Sequence, residues 1–185
     1  MPNILVRRWF LLVIAIAIFP GTPLLAQHLT GQASVIDGDT IEIHGQRIRL
    51  YGVDAPESEQ ICLDTSDAQW RCGQRAANEL AEFIGQSTVF CTQMDTDRYG
   101  RIVASCTAKG AVLSDWLVDN GWAIAYRKYA GHIFDRLESG AKLRKDGIWK
   151  GRFDDPSDWR KGKREIKPFI VDAIKDTPHD GDCYL

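Results

Sequence analysis

Between residues 35 and 57 the chain reads VIDGDTIEIHGQRIRLYGVDAPE, and its apolar residues recur at every second position. In the run 40–43, Ile41 and Ile43 share one face and Glu42 lies on the other, with His44 following it. A turn at His44-Gly45-Gln46 leads into a second run that sets Ile48 and Leu50 against Arg47, Arg49 and Tyr51. This period of two is that of strands with one buried face. Upstream, residues 31–36 alternate more loosely and end at Asp37-Gly38, a turn signal. Downstream, Gly52 bends the chain before Val53-Asp54, and Pro56 stops the strand. The stretch predicts a three-stranded meander whose charged residues gather at its turns.

The rest of the chain supplies elements to close and cover such a meander. Residues 58–73 read as an irregular loop. From Gln74, the residues Ala76, Ala77, Leu80, Phe83 and Ile84 repeat at helical spacing, and Gly85 ends the helix. Residues 88–94 and 101–107 read as the arms of a second hairpin, and 112–120 as a short amphipathic helix ended by Gly121. An apolar stretch at 122–125 precedes Tyr126. A third helix is expected over 132–145, with Phe134, Leu137 and Ala141 facing inward and Trp149 closing the core behind it. Five strands and three helices in this order suggest an α+β, mainly β fold: a five-stranded Greek-key barrel of the OB type with three packed helices.

Both ends of the chain stand apart in composition. Arg7 and Arg8 precede an apolar run at 9–19, Pro20-Gly21 breaks it, and Ala26 is the small residue expected at a cleavage site. Residues 1–26 are therefore read as a secretory signal peptide. The run falls short of the roughly 20 residues of a membrane span, so no stable anchor is expected after cleavage. Residues 27–151 form the expected domain. Residues 152–185, with Arg160-Lys161-Gly162-Lys163-Arg164 and an apolar Phe169-Ile170-Val171, read either as a packed extension or as a loose arm. The basic cluster in it reads as a solvated face or as a nucleic-acid contact.

Cleavage would remove two arginines and no acids, which takes the formal charge from −2 to −4. A basic excess is usual in nucleic-acid binders, so any grip on a polyanion here must be local. All five cysteines follow residue 26, no C-x-x-C occurs, and the four histidines are scattered. That disfavours zinc and favours disulfides in an exported protein, periplasmic or extracellular. Cys91 and Cys106 flank the turn at 97–100 almost symmetrically, which puts them opposite each other on two antiparallel strands. Cys62 and Cys72 would close a surface loop. Cys183 is left over, free in a monomer or paired across a dimer.

Acids able to hold a hard cation and arginines able to grip an anion share this small region. Asp39 and Asp54 offer hard oxygens, and a Ca²⁺ seeking about six to eight of them would leave places for a backbone carbonyl, waters and substrate. Glu57, set by Pro56, could orient or deprotonate a water beside the metal. Arg49 and Arg101 can each fork onto phosphate oxygens. Taken singly, Asp-Gly-Asp-Thr is a turn and a strand-edge arginine a solvated charge. Together, at turns and strand ends, they point to metal-assisted phosphodiester chemistry.

Three motifs in order, DGDT at 37–40, RLYGVDAPE at 49–57 and DRYGR at 97–101, resemble the staphylococcal nuclease (thermonuclease) family. The likeness spans about residues 31–149, including Gly147-Ile148-Trp149. It implies an OB-fold barrel with three helices and a Ca²⁺-dependent nuclease that acts on DNA and RNA and leaves 3′-phosphate ends. By this resemblance Asp39 and Asp54 match calcium carboxylates, and Ala55 falls where a backbone carbonyl is a ligand. Arg49, Glu57 and Arg101 match the catalytic set. Arg98 stands at a terminal-phosphate contact, and Tyr99 and Tyr126 match the nucleotide pocket. The cysteine loop, the acidic charge and the segment after residue 151 depart from the best-known member's pattern and leave substrate preference open. Two other classes fit the same barrel: a non-catalytic nucleic-acid-binding module, and an accessory part of an envelope or exopolysaccharide pathway.

Overall fold

A computed structural model describes residues 28–168, so the expected signal peptide, Phe169-Ile170-Val171 and Cys183 lie outside the described residues. The meander is β1 (His28–Asp37), β2 (Thr40–Ile43) and β3 (Gln46–Leu50). Val35 faces Ile41 across the first pair, and Ile41 faces Ile48 across the second. The first strand is longer than its hydrophobic alternation suggests. Residues 28–32 pair with a strand some sixty residues on, so tertiary pairing extends what the local pattern leaves weak.

Beyond the meander come β4 (Val53–Asp54), a two-residue hairpin of β5 (Cys62–Leu63) and β6 (Gln69–Trp70), and the helix α1 (Cys72–Ile84). The loop expected over 58–73 thus contains this hairpin and the first turn of α1. The second long hairpin is β7 (Thr88–Thr96) and β8 (Ile102–Ala108), followed by β9 (Ala111–Val112) and α2 (Leu113–Asp119). Next are β10 (Ile124–Ala125), the single turn α3 (Arg127–Ala130) and α4 (Asp135–Arg144). The helix expected from residue 132 starts at Asp135, after a turn in which the His132 ring pairs with the Asp135 carboxylate. A 3-10 turn at Gly147–Lys150 and α5 (Pro156–Arg160) complete the described chain.

The sheet runs β3-β2-β1-β7-β8-β9, and a parallel pairing of β3 with β8 closes β1, β2, β3, β7 and β8 into a five-stranded mixed barrel. The fold is α+β and mainly β, an OB-type barrel with α1, α2 and α4 as its main helices. Ile41, Ile43, Ile48, Leu50, Leu80, Val89, Ala104 and Leu117 fill one core, each at most 1% exposed. The Cys91–Cys106 disulfide joins directly opposed residues of β7 and β8.

A smaller second core holds Cys62, Cys72 and Ile148, with Trp70, Ile124, Trp149 and Phe153 packed on it. The Cys62–Cys72 disulfide is therefore buried, where the sequence suggested a surface loop. Ile148, not Trp149, is the fully buried residue of the Gly-Ile-Trp turn. Residues 152–168 are a packed extension: Leu63 and Arg152 exchange backbone hydrogen bonds at 2.8 and 3.0 Å. Leu80→Ala is expected to cost about 2–5 kcal/mol by leaving a core cavity. Phe90→Ala, on an exposed strand position, should stay within about 0.5 kcal/mol. Urea unfolding of the two oxidised variants measures the difference.

Candidate active site

Closing the barrel brings separate turns to one end. Asp39 sits in the β1–β2 turn, where its N–H donates to the Asp37 carboxylate at 3.0 Å. Arg49, on β3, lies opposite Thr40 on one side and Val103 of β8 on the other. Arg101 immediately precedes β8. Asp54, on β4, is fixed by pairing with Ile124 of β10. A cavity of about 620 Å³ opens between these elements, lined by Asp39, Arg49, Ala55, Glu57, Arg98, Tyr99, Arg101 and Tyr126. Both guanidinium-bearing motifs therefore face one hollow, and Asp54 joins it through Arg49 and a further arginine, Arg160.

The electrostatic centre is a pair of inward carboxylates, Asp39 at 6% exposure and Asp54 at 1%. One nitrogen of Arg49, Nη2, donates to Asp39 Oδ2 at 2.8 Å and to Asp54 Oδ1 at 3.0 Å. The two acids thus converge on a point already filled by positive charge. Desolvation pushes the Asp39 carboxyl up to about 7; Arg49 and the Thr40 hydroxyl oppose the shift, while Asp37 and Asp54 add to it. Burial lowers the affinity of the Arg49 guanidinium for its proton, but Asp39 and Asp54 outweigh that and raise it.

The donors of this pair are all hard oxygens, converging as a small hard cation requires. Among the described residues no group of three His, Cys, Asp or Glu side chains gathers to hold a metal. A cation here would then draw on two carboxylates, with backbone oxygen, water and substrate completing its shell. Ala55 is buried, and its N–H donates to Asp39 Oδ2 at 3.4 Å.

Arg101 is oriented by Asp97. Its Nε donates to Asp97 Oδ2 at 2.7 Å, while Asp97 Oδ1 accepts from the backbone N–H groups of Tyr99 and Arg101. Desolvation pushes the Asp97 carboxyl up, but these bonds outweigh it and hold it below its ordinary value. Tyr99 is 70% exposed at the cavity rim, with the Arg98 and Arg101 guanidiniums 4.8 and 5.7 Å from its ring centre. Tyr126, also lining the cavity, packs its ring 5.1 Å from that of Tyr129.

Several residues of this site escape a reading of the sequence. Arg160, at the end of α5, forks onto Asp54 at 2.9 and 2.8 Å and reaches Glu57 Oε1 at 2.7 Å. Burial works against the Arg160 proton, yet the bonds to Asp54 and Glu57 raise its pKa. Asp155 followed by Pro156 is a readable start for that helix, since Asp155 caps the N–H groups of Ser157 and Asp158. Nothing local tells where the helix docks. Gln60, fully buried, accepts from the Glu57 N–H at 3.2 Å and donates to the Asp154 carbonyl at 2.6 Å. Gly73, in the first turn of α1, lies so close to the Glu57 carbonyl that a Cβ there would overlap it.

The family described as Staphylococcal nuclease homologue matches residues 47–151. The chain is 39% identical over 145 residues to the succinoglycan biosynthesis protein ExoI of Rhizobium meliloti (strain 1021), covering 77% of this chain and 76% of that protein. It is 31% identical over 134 residues to an uncharacterized endonuclease of Escherichia coli, covering 69% and 81%. Against a micrococcal nuclease of Shigella flexneri the identity is 27% over 167 residues, covering 81% and 90%. The close approach at Gly73 gives a prediction independent of chemistry. Gly73→Ala should destabilise the protein by about 1–3 kcal/mol by forcing the Glu57 backbone off α1, and thermal unfolding against wild type checks it.

Proposed function

This chain belongs to the staphylococcal nuclease homologue family, and we propose that it is an exported, Ca²⁺-dependent endonuclease that hydrolyses DNA and RNA to products with 3′-phosphate ends. The observation that carries the reading is the convergence of Asp39, Arg49, Glu57 and Arg101, from four separate segments, on one cavity. Relatives named as a micrococcal nuclease and an endonuclease support a nucleic-acid substrate.

Asp39, Asp54 and the Ala55 carbonyl would hold the ion. A bound Ca²⁺ would neutralise phosphate charge and polarise a phosphoryl oxygen. Arg49 engages both carboxylates with Nη2 alone, which leaves Nε and Nη1 for phosphate oxygens. Arg101, locked at Nε by Asp97, presents its two terminal nitrogens to the cavity. Such preset forks stabilise charge as it develops in the transition state without reorganising. Glu57 positions the attacking water and accepts its proton. Arg98, Tyr99 and Tyr126 line the nucleotide pocket, the guanidinium reaching a terminal phosphate and the rings flanking a base.

The two disulfides suit an oxidising compartment, so the proposal includes a signal peptide at 1–26 and release into the periplasm or medium. Among the described residues no helix is long and apolar enough to cross a membrane. The mature protein acts as a monomer in this reading, and Cys183 is the residue through which a dimer would form.

The ExoI name favours a second reading, an accessory role in envelope polysaccharide production without nucleic-acid turnover. Incubation of single-stranded DNA with the mature protein separates the two. Cleavage with Ca²⁺, its loss on chelation and 3′-phosphate termini support the nuclease; intact DNA in both lanes supports the accessory role. Arg49→Ala and Arg101→Ala should each lower the rate about 10²–10³-fold, and Glu57→Ala about 10²–10⁴-fold, with the fold retained by circular dichroism. Wild-type rates in all three variants would refute the assignment.

A further inference from the structure

Three of the roughly four lone-pair positions of the Asp54 carboxylate are taken by guanidinium nitrogens. Its Oδ1 accepts from Arg49 and Arg160, and its Oδ2 from Arg160. A divalent ion that binds Asp54 therefore competes with guanidinium charge for the same carboxylate. Arg49 belongs to a barrel strand and is 18% exposed, whereas Arg160 comes from a five-residue helix and is 33% exposed at the cavity wall. An ion shared by Asp39 and Asp54 meets both guanidiniums, and Arg160, on the shorter and more exposed element, is the more readily displaced.

The segment that carries Arg160 is anchored without it. Leu63 and Arg152 exchange two backbone bonds, and Gln60 donates to the Asp154 carbonyl. The buried Asp154 carboxylate accepts from the Glu165 and Ile166 N–H groups at 3.2 Å. These contacts deliver a forked cation to Asp54 and Glu57 whatever the side chain's own energy. Arg160 also lies beyond residue 151, where the family match ends.

We propose that Arg160 is a resident competitor for the divalent cation, occupying Asp54 and Glu57 until the ion displaces it, so that this side chain sets the cation concentration the site requires. The inference rests on Asp39 and Asp54 being the cation's ligands. Competition lowers the apparent affinity by the fraction of molecules in which Asp54 is open. A charge-assisted fork of this kind is among the stronger protein contacts, so that fraction is small.

Calorimetric titration of the metal-free mature protein with CaCl₂ tests the proposal. Arg160→Gln, which removes the charge and leaves a shorter neutral amide, should bind Ca²⁺ about tenfold more tightly than wild type. Arg160→Lys, with a point charge and no fork, should fall between them and serves as the reading should the Gln variant not fold. Asp54→Asn should lose binding. If Asp54→Asn loses binding while Arg160→Gln binds no more tightly than wild type, the competition is overturned and the ligand assignment stands. That result is also what a purely structural Arg160 would give, with a lower melting temperature as its sole effect. If neither wild type nor Arg160→Gln binds Ca²⁺, the ligand assignment falls and takes the competition with it.

Discussion

Two carboxylates pressed together out of water are what this molecule is built to tolerate. Asp39 and Asp54 repel each other at almost no exposure, and a lone buried anion would cost several kcal/mol. Guanidinium from Arg49 and Arg160 offsets that repulsion. Every element around the pair serves the arrangement. The β1–β2 turn presents Asp39, the β4–β10 pairing presents Asp54, and β3 carries Arg49 between them. A site of this kind is strained by charge rather than by backbone geometry, and it is poised to exchange one positive partner for another.

The barrel's contribution is one of distance along the chain. Arg49 and Arg101 are separated by most of two hairpins and a helix, and the parallel pairing of β3 with β8 makes them neighbours of the same opening. That pairing also separates two scales of rigidity. The barrel core is filled by branched aliphatics held on all sides. The second core is a small cluster around a disulfide, and it supports the segment that reaches back into the site.

What could be seen in the sequence followed from local rules. Period-two alternation located the meander, and the charges clustered at its turns and strand ends marked Asp39, Arg49, Asp54 and Glu57 as candidates. The opposed cysteines of the second hairpin were visible because Cys91 and Cys106 flank a turn almost symmetrically. What stayed hidden depends on long-range docking. The first residues of β1 carry little pattern and become strand only because β7 lies beside them. Gln60 and Gly73 look like ordinary loop residues until the Glu57 backbone is laid against them. Arg160 sits in a basic cluster that reads as a solvated face or a nucleic-acid contact, and only its path around the second core turns it inward.

Closure of the barrel also decides when the site comes into being. Before β8 settles along β3, the nascent chain holds both groups of charged residues yet has no hollow for them to share. Pairings so remote in sequence form late, after loop-closure entropy has been overcome. A chain that stops short of Ile102 lacks the partner strand of β3, and with it the wall that sets Arg101 beside Arg49.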